Sequence, residues 1–388
     1  MKICACIAEY NPFHLGHLKH IEYMKRVLGA EKVVVIMSGD FTQRGEIAVM
    51  DKFTRAKHAV ESGADAVIEL PTVFATANAE YFARGAINVL SSIGVADGLC
   101  FGVESGEKQE YVNLATELNS ESKEFKKALK EELAGGISLA KAKFNALKKT
   151  GAEFNENLIS SPNNVLGVEY VKALLKSGSD IEIYPMLRKG DHNDKTLKKG
   201  ITSATSIREI IKLARLKLVK KCVPKSVYKD IGGYPFAFDK LCIAAVLTAS
   251  AEELGKICDC TEGLNNRIKA LSGENRTIDE LVQRVSTKRY TMARIRRILT
   301  ANLLKIDKDF LEECASSPLY AKVLAVKKNG DMLNLLAEKS SVPVITRKSD
   351  LISLKKTALA CYEKDVLANA VYNLVTDRKD NENFTLFI

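Results

Sequence analysis

The chain has 388 residues, 46% hydrophobic and 27% charged, with a formal net charge of +10. That length exceeds one ordinary core and suggests two or three domains. No apolar run approaches the roughly 20 residues that span a bilayer, which argues against a membrane-spanning helix. The opening stretch, residues 1–9, turns polar too soon for a secretory leader and reads as a buried first strand. Nine cysteines, an odd number with no CxxC pair, argue against a structural zinc site. The expectation is reduced thiols in a cytoplasmic protein.

Along the first half, strand and helix signals alternate. Residues 3–8 form a short apolar run. Residues 17–28 follow with helical spacing, Leu18, Ile21, Met24 and Leu28 lying on one stripe. Residues 32–37 are continuously apolar, as in a strand buried on both faces. Residues 51–62 read as a helix capped by Asp51. A strand at 64–70 ends at Pro71, a helix spans 77–93, and a strand end falls at 99–102. A charged helical stretch at 108–149 carries a Gly135-Gly136 break. It is followed by a helix at 165–176, a strand at 181–187 and a helix at 206–217. This alternation predicts an α/β fold with a parallel sheet covered by helices on both faces. Ligands of such sheets bind beyond the carboxyl ends of the strands.

Pro224, Gly232, Gly233 and Pro235 mark a boundary, so the expected domains are 1–222 and 223–388. The second is mainly helical, at 238–254, 264–271, 278–285 and 292–304. A small α+β piece with strands at 321–326 and 342–345 completes it.

The segment most rich in chemistry follows the first strand. After Ile7-Ala8 it reads Glu9-Tyr10-Asn11-Pro12-Phe13-His14-Leu15-Gly16-His17-Leu18-Lys19-His20, with three of the chain's five histidines. A helix N-terminus there offers free N–H groups and a positive dipole end to phosphate. Gly16 admits close backbone approach. His14 and His17, three apart, point the same way and can donate to phosphate oxygens as charge grows. An attacking group that is already an anion needs positioning more than acid–base help. The same pair also reads as two satisfied helix-start histidines. Further on, Ser203, Thr205 and Arg208 form a second candidate cradle, Arg208 being placed to clamp a phosphate. Read alone, they are also an ordinary capped surface helix.

Two basic runs stand out. Residues 188–221 hold eleven basic and three acidic residues, and residues 281–306 hold seven basic and no acidic ones. Together with a phosphate site they point to a nucleic-acid partner. Lys288, Arg289, Arg294, Arg296 and Arg297 are the candidate backbone contacts, and Tyr290 reads either as a stacking face or as a core tyrosine.

HxGH followed by a Ser/Thr-x-x-x-R type motif is the signature pair of the nucleotidyltransferase superfamily. The whole chain resembles the tRNA(Met) cytidine acetate ligase family within it. The likeness rests on Ala8–His17, on Ser38-Gly39-Asp40-Phe41-Thr42-Gln43-Arg44-Gly45-Glu46, on Phe101-Gly102-Val103-Glu104-Ser105-Gly106, and on Asn163-Asn164-Val165-Leu166-Gly167-Val168-Glu169-Tyr170. It implies a Rossmann-like nucleotidyltransferase domain followed by a tRNA-binding domain. It also implies ATP contacts at residues 7–20, Gly102, Asn163 and Arg188, with His14 and His17 on the α- and β-phosphates. The implied reaction joins acetate to AMP and passes the acetyl group to the wobble cytidine of elongator tRNA(Met). Magnesium is expected with the ATP.

The chain departs from the family pattern at Asp40, at Ile47 and at His192-Asn193. Asp40 adds a negative charge that calls for a metal or a basic side chain beside it. Two other readings share the phosphate site: an adenylyltransferase acting on a phosphorylated small molecule, and a non-enzymatic RNA-binding protein that senses nucleotide. An aminoacyl-tRNA synthetase fits less well, because no editing or anticodon domain is evident.

Overall fold

The computed structural model describes residues 2–120, 122–137, 139–151, 154–188, 203–378 and 384–388. Five neighbouring parallel strands form most of its sheet: β1 (Ile3–Ala8), β2 (Lys32–Ser38), β3 (Ala66–Leu70), β4 (Gly98–Val103) and β5 (Glu182–Leu187). Three more strands come from late in the chain: β6 (Ala321–Val326), β7 (Val344–Ile345) and β8 (Leu386–Phe387). The sheet order is β5-β4-β1-β2-β3-β6-β7, with β8 also on β6. The apolar runs 3–8 and 32–37 pair along their full length, Ile3 opposite Lys32 and Ala8 opposite Met37.

The chain leaves β1 toward β2 on one side and returns as β4 on the other. The carboxyl end of β1 is therefore a switch point, where two neighbouring crossovers diverge and leave a crevice. One hydrophobic layer packs the face carrying the helices Ala79–Ile93, Lys108–Ser120 and Pro162–Ser177. The second packs the face carrying Leu15–Arg26, Lys52–Glu61 and Ala204–Lys212.

The expected division at 222/223 is crossed by the sheet. β6 lies antiparallel to β3, with Lys322 opposite Glu69, and all six of its residues are buried. Periodicity marks 321–326 as a strand but cannot name its neighbour. The long helix Lys356–Thr376 packs over the short helix Thr72–Ala75 at the end of β3.

The 108–149 stretch breaks twice rather than once. Helices Lys108–Ser120, Lys123–Ala134 and Leu139–Lys149 replace the single break expected at Gly135-Gly136. The additional break comes from Ser122, whose hydroxyl accepts the Phe125 amide at 3.1 Å and starts a new helix. No described helix is long and apolar enough to cross a membrane.

Candidate active site

The first helix, Leu15–Arg26, begins directly beyond β1, and His14 is its N-cap, in extended backbone with φ −135° and ψ 173°. Its Nδ1 accepts the Gly16 amide at 3.0 Å, while Nδ1 of His17 accepts the His14 amide at 3.2 Å. An amide can only donate, so both Nδ1 atoms are acceptors and both neutral rings carry their proton on Nε2. The two rings stack 3.7 Å apart at 19°. Burial pushes the His17 ring well below the usual histidine range, reinforced by His14, Arg188 and His20. Burial and Arg188 bring His20 down to about 4. His17 and His20 are thus neutral at pH 7.

Here the structure differs from the expectation of free amides at the helix start. The Leu15 amide donates to Cys222 O at 3.0 Å, the Gly16 amide to His14 Nδ1, and the His17 amide to His14 O at 2.9 Å. These three helix-start amides are therefore engaged within the chain. Gly16 also lies against the His14 ring. A Cβ there would stand 2.7 Å from His14 Cε1 and 2.9 Å from Nδ1, so its missing side chain makes room for the His14 ring. Tyr10 and Phe13, both fully buried, seat the pair, the Tyr10 ring meeting His17 edge-on at 4.8 Å. Ile7, Ala8 and Leu18 are partly buried around this turn, Pro12 is buried, and Lys19 is exposed.

β4 and β5 build the opposite wall. The Arg188 amide donates to Val103 O at 2.8 Å, and its side chain crosses Gly102, where a Cβ would lie 3.1 Å from Arg188 Cγ and Cδ. Burial lowers the Arg188 guanidinium, and Glu104 opposes that shift. Asn163 donates to Glu104 at 2.5 Å. Its neighbour Asn164, fully buried, accepts from the Glu104 amide at 2.8 Å and from Tyr111 Oη at 2.9 Å. Asn163 is thereby held at the site mouth by a helix start that Asn164 pins to β4. The residues expected at His192-Asn193-Asp194 lie outside the described residues.

Arg208 is 7% exposed and turned toward protein. It donates to Asn11 O at 3.0 Å and Thr205 Oγ1 at 3.3 Å, and pairs with Glu46 at 3.4 Å. Ser203 caps its helix, accepting the Ser206 amide at 3.2 Å. Arg208 thus braces the His14 loop through Asn11, with Ser203 and Thr205 at its own helix start. On the loop's other side, Glu9 accepts the Gln43 amide at 2.8 Å.

The sequence reading missed Arg55. Wholly buried, it donates to the carbonyls of Glu9 (2.6 Å), Ser38 (3.0 Å), Met50 (2.8 Å) and Gly39. It ties the ends of β1 and β2 together. An arginine on the inner face of an amphipathic helix, beside Phe53, Ala56, Ala59 and Val60, was the available signal.

These parts bring His14, His17, Gly102, Asn163 and Arg188 to one crevice at the switch point, while Arg208 supports it from behind. The model of the HIGH nucleotidyl transferase family matches residues 1–385. A relative from Caldanaerobacter subterraneus subsp. tengcongensis, a tRNA(Met) cytidine acetate ligase, is 38% identical over 384 residues, 96% of this chain and 95% of that one. The chain belongs to the tRNA(Met) cytidine acetate ligase family. A second ligase, from Acetivibrio thermocellus, is 37% identical and covers 99% of both chains. A crystal structure of Thermotoga maritima TmcAL bound with alpha-thio ATP superposes with a TM-score of 0.91 at 29% identity, covering 100% of both chains.

Two positions expected to depart from the family pattern can now be placed. Asp40, absent from the expected family pattern, faces a buried lysine. Its Oδ1 accepts the Lys52 amide at 3.0 Å, Lys52 Nζ stands 3.8 Å from Oδ2, and Asn369 donates to Oδ2 at 3.0 Å. Lys52 also pairs with Glu69 at 2.9 Å, and Lys322 with Glu69 at 3.1 Å, all with side chains at most 2% exposed. The basic side chain that the Asp40 charge called for is therefore Lys52. Ile47, the other such position, is 1% exposed in the core beside Phe41.

The basic residues of 281–306 are largely spoken for within the chain. Arg289 pairs with Glu262 at 2.5 Å, Arg296 with Asp279 at 2.5 Å and Arg297 with Asp259 at 3.5 Å. Arg294 donates to Asp259 O at 2.8 Å and lies 5.4 Å from the Tyr290 ring centre. The Tyr290 hydroxyl donates to Glu262 O at 2.8 Å. Lys288 is exposed.

Proposed function

We propose that the protein activates acetate with ATP and acetylates the wobble cytidine of elongator tRNA(Met) to N4-acetylcytidine. In the first step an acetate oxygen attacks the α-phosphorus. The bond from that phosphorus to the bridging oxygen breaks, and pyrophosphate leaves. In the second step N4 of cytidine attacks the acetyl carbonyl, AMP leaves, and the N4 proton passes to solvent.

The observation that carries this reading is the stacked pair of neutral histidines at the sheet's switch point, with both Nδ1 atoms engaged. Donors fixed on Nε2 meet the negative charge that grows on the phosphates, in a buried setting where hydrogen bonds count for more than in water. Arg188 adds a full positive charge across the crevice. Acetate is already an anion, so no general base is required. ATP would contact residues 7–20, Gly102, Asn163 and Arg188. Ser203, Thr205 and Arg208 would keep the loop in place. Magnesium belongs to the substrate, carried by the triphosphate. Among the described residues no group of three or more His, Cys, Asp or Glu is arranged for a metal. Lys288 and Arg289, with Arg294, Arg296 and Arg297 behind them, would meet the tRNA backbone.

The test is pyrophosphate release from ATP with and without acetate and with and without tRNA(Met). The expected result is acetate-dependent release, followed by movement of labelled acetyl onto the tRNA. Release that ignores acetate would overturn the reading in favour of an adenylyltransferase.

A further inference from the structure

We infer that Phe236 is a stacking platform for an unpaired base of the RNA acceptor. This deepens the ligase reading and rests on it. Phe236 is 58% exposed at the start of the helix Ala237–Thr248. Single exposed apolar side chains are common on this surface, so what marks this ring is its surroundings.

The ring is held at its edge. Its centre lies 4.9 Å from that of Tyr234 at 57°, and Lys212 Nζ stands 4.8 Å from the Tyr234 centre. Tyr234 packs against the second hydrophobic layer. Burial raises its hydroxyl pKa, Glu46, Asp239 and Asp279 add to the rise, and Arg208 opposes it. Glu46 and Arg208 are the pair that braces the Asn11 carbonyl. The aromatic pair therefore starts behind the wall of the ATP site and ends in solvent. Gly232 and Gly233 precede it with open space where side chains would stand.

Charge complementarity names the occupant. Arg215, Lys217, Lys220, Lys221, Lys225 and Lys229 are exposed and pair with no acid among the described residues. Asp230, within the same segment, is held by Lys57 at 3.3 Å and His58 at 2.9 Å. This contrasts with the 281–306 run, where the arginines are matched by acids or carbonyls of the chain. Tyr234, on which the Phe236 ring leans, packs in the same layer as Val219 and Val227 of the segments that carry these cations. An exposed phenyl ring on that layer suits single-stranded RNA: the cations take the phosphates and the ring takes a base face. Tyr290, the aromatic residue of the other run, already carries Arg294 on its ring.

The experiment compares the full chain with Phe236→Ala, Phe236→Leu and Phe236→Trp. Two readouts are used: acetate-dependent pyrophosphate release without tRNA, and acetyl transfer to tRNA(Met). Phe236→Ala is expected to leave the first unchanged and to lower kcat/KM for tRNA about 5- to 150-fold, the equivalent of about 1–3 kcal/mol. Phe236→Trp should restore transfer and Phe236→Leu should not. Unchanged transfer in Phe236→Ala, or full rescue by leucine, would overturn the stacking role. A concentration-dependent dimer of the parent protein that Phe236→Ala abolishes, with transfer per dimer unaltered, would assign the ring to self-association instead. If the parent itself shows no acetate-dependent release, the ligase reading fails, an outcome separate from these.

Discussion

Gly45 lies against the peptide that joins Arg296 to Arg297. A Cβ at position 45 would stand 2.5 Å from both the Arg296 carbonyl carbon and the Arg297 nitrogen, and Gly45 has φ +69°. Thr300 Oγ1 donates to Gly45 O at 2.9 Å in the same contact. The loop that holds Glu9 and Arg208 is thus seated directly on the helix Met292–Leu304, backbone to backbone.

Gly45→Ala should therefore separate the two. A left-handed backbone and a clash with main chain act together, and the expected loss is about 2–4 kcal/mol of stability. Urea unfolding checks this. A change below about 0.5 kcal/mol, typical of a neutral surface substitution, would show that the loop does not depend on the contact.

Two other glycines predict distinct kinetic effects. Gly16→Ala drives a methyl group into the His14 ring and should lower the rate of acetate-dependent pyrophosphate release about 100-fold or more, the cost of misplacing one charge-stabilising donor. Gly102→Ala meets the Arg188 stem at 3.1 Å, a distance a flexible side chain can relieve by shifting. It should raise KM for ATP several-fold with kcat nearly kept. Steady-state kinetics on both variants decides, and equal effects on kcat would refute the difference in roles.

The buried charges around Glu69 predict an asymmetry in stability. Glu69→Gln leaves Lys52 and Lys322 without their shared carboxylate and should cost about 3–5 kcal/mol. Asp40→Asn removes the more distant partner of Lys52 and keeps an acceptor for its amide, so about 1–2 kcal/mol is expected. Chemical denaturation of the two variants orders them. The reverse order would mean that Asp40 is the main counter-charge.

A pH dependence follows from His20. Its folded pKa, about 4, lies below the value near 6.5 of an unfolded histidine. Between those values the unfolded chain binds the additional proton, so stability is complete above pH 6.5 and falls as pH drops toward 4. The slope is up to about 1.4 kcal/mol per pH unit for this one group. His17, shifted the same way, adds to it. Asp365, raised to about 6 by burial and by Glu69, works in the opposite sense, its contribution declining as pH rises through 4 to 6. His20→Gln should flatten the loss between pH 6.5 and 4.5 by about one proton's worth. Denaturation at several pH values checks it, and an unchanged slope would show that His20 is not buried as a neutral ring.

Residues 3–8 and 32–37 are legible as buried parallel strands because they are apolar on both faces, and Asp51 and Ser203 are legible as caps because their oxygens suit a helix start. The phosphate motif is legible for the same local reason: histidine and glycine spacing at a strand–helix junction carries its own chemistry. What remained hidden depends on distance along the chain. Periodicity reports that 321–326 is a strand, yet only packing decides that it pairs with β3 and brings Lys322 to Glu69, 253 residues away in sequence. The destination of Asp40, the four carbonyls gathered by Arg55 and the inward turn of Arg208 belong to the same class. A buried charge must find its partner wherever the fold provides one. The sequence alone determined that a histidine- and glycine-bearing turn joins the first strand to the first helix. The tertiary structure decided how that turn is wired, because the amides of Leu15, Gly16 and His17 found partners within the protein and both histidine Nδ1 atoms became acceptors.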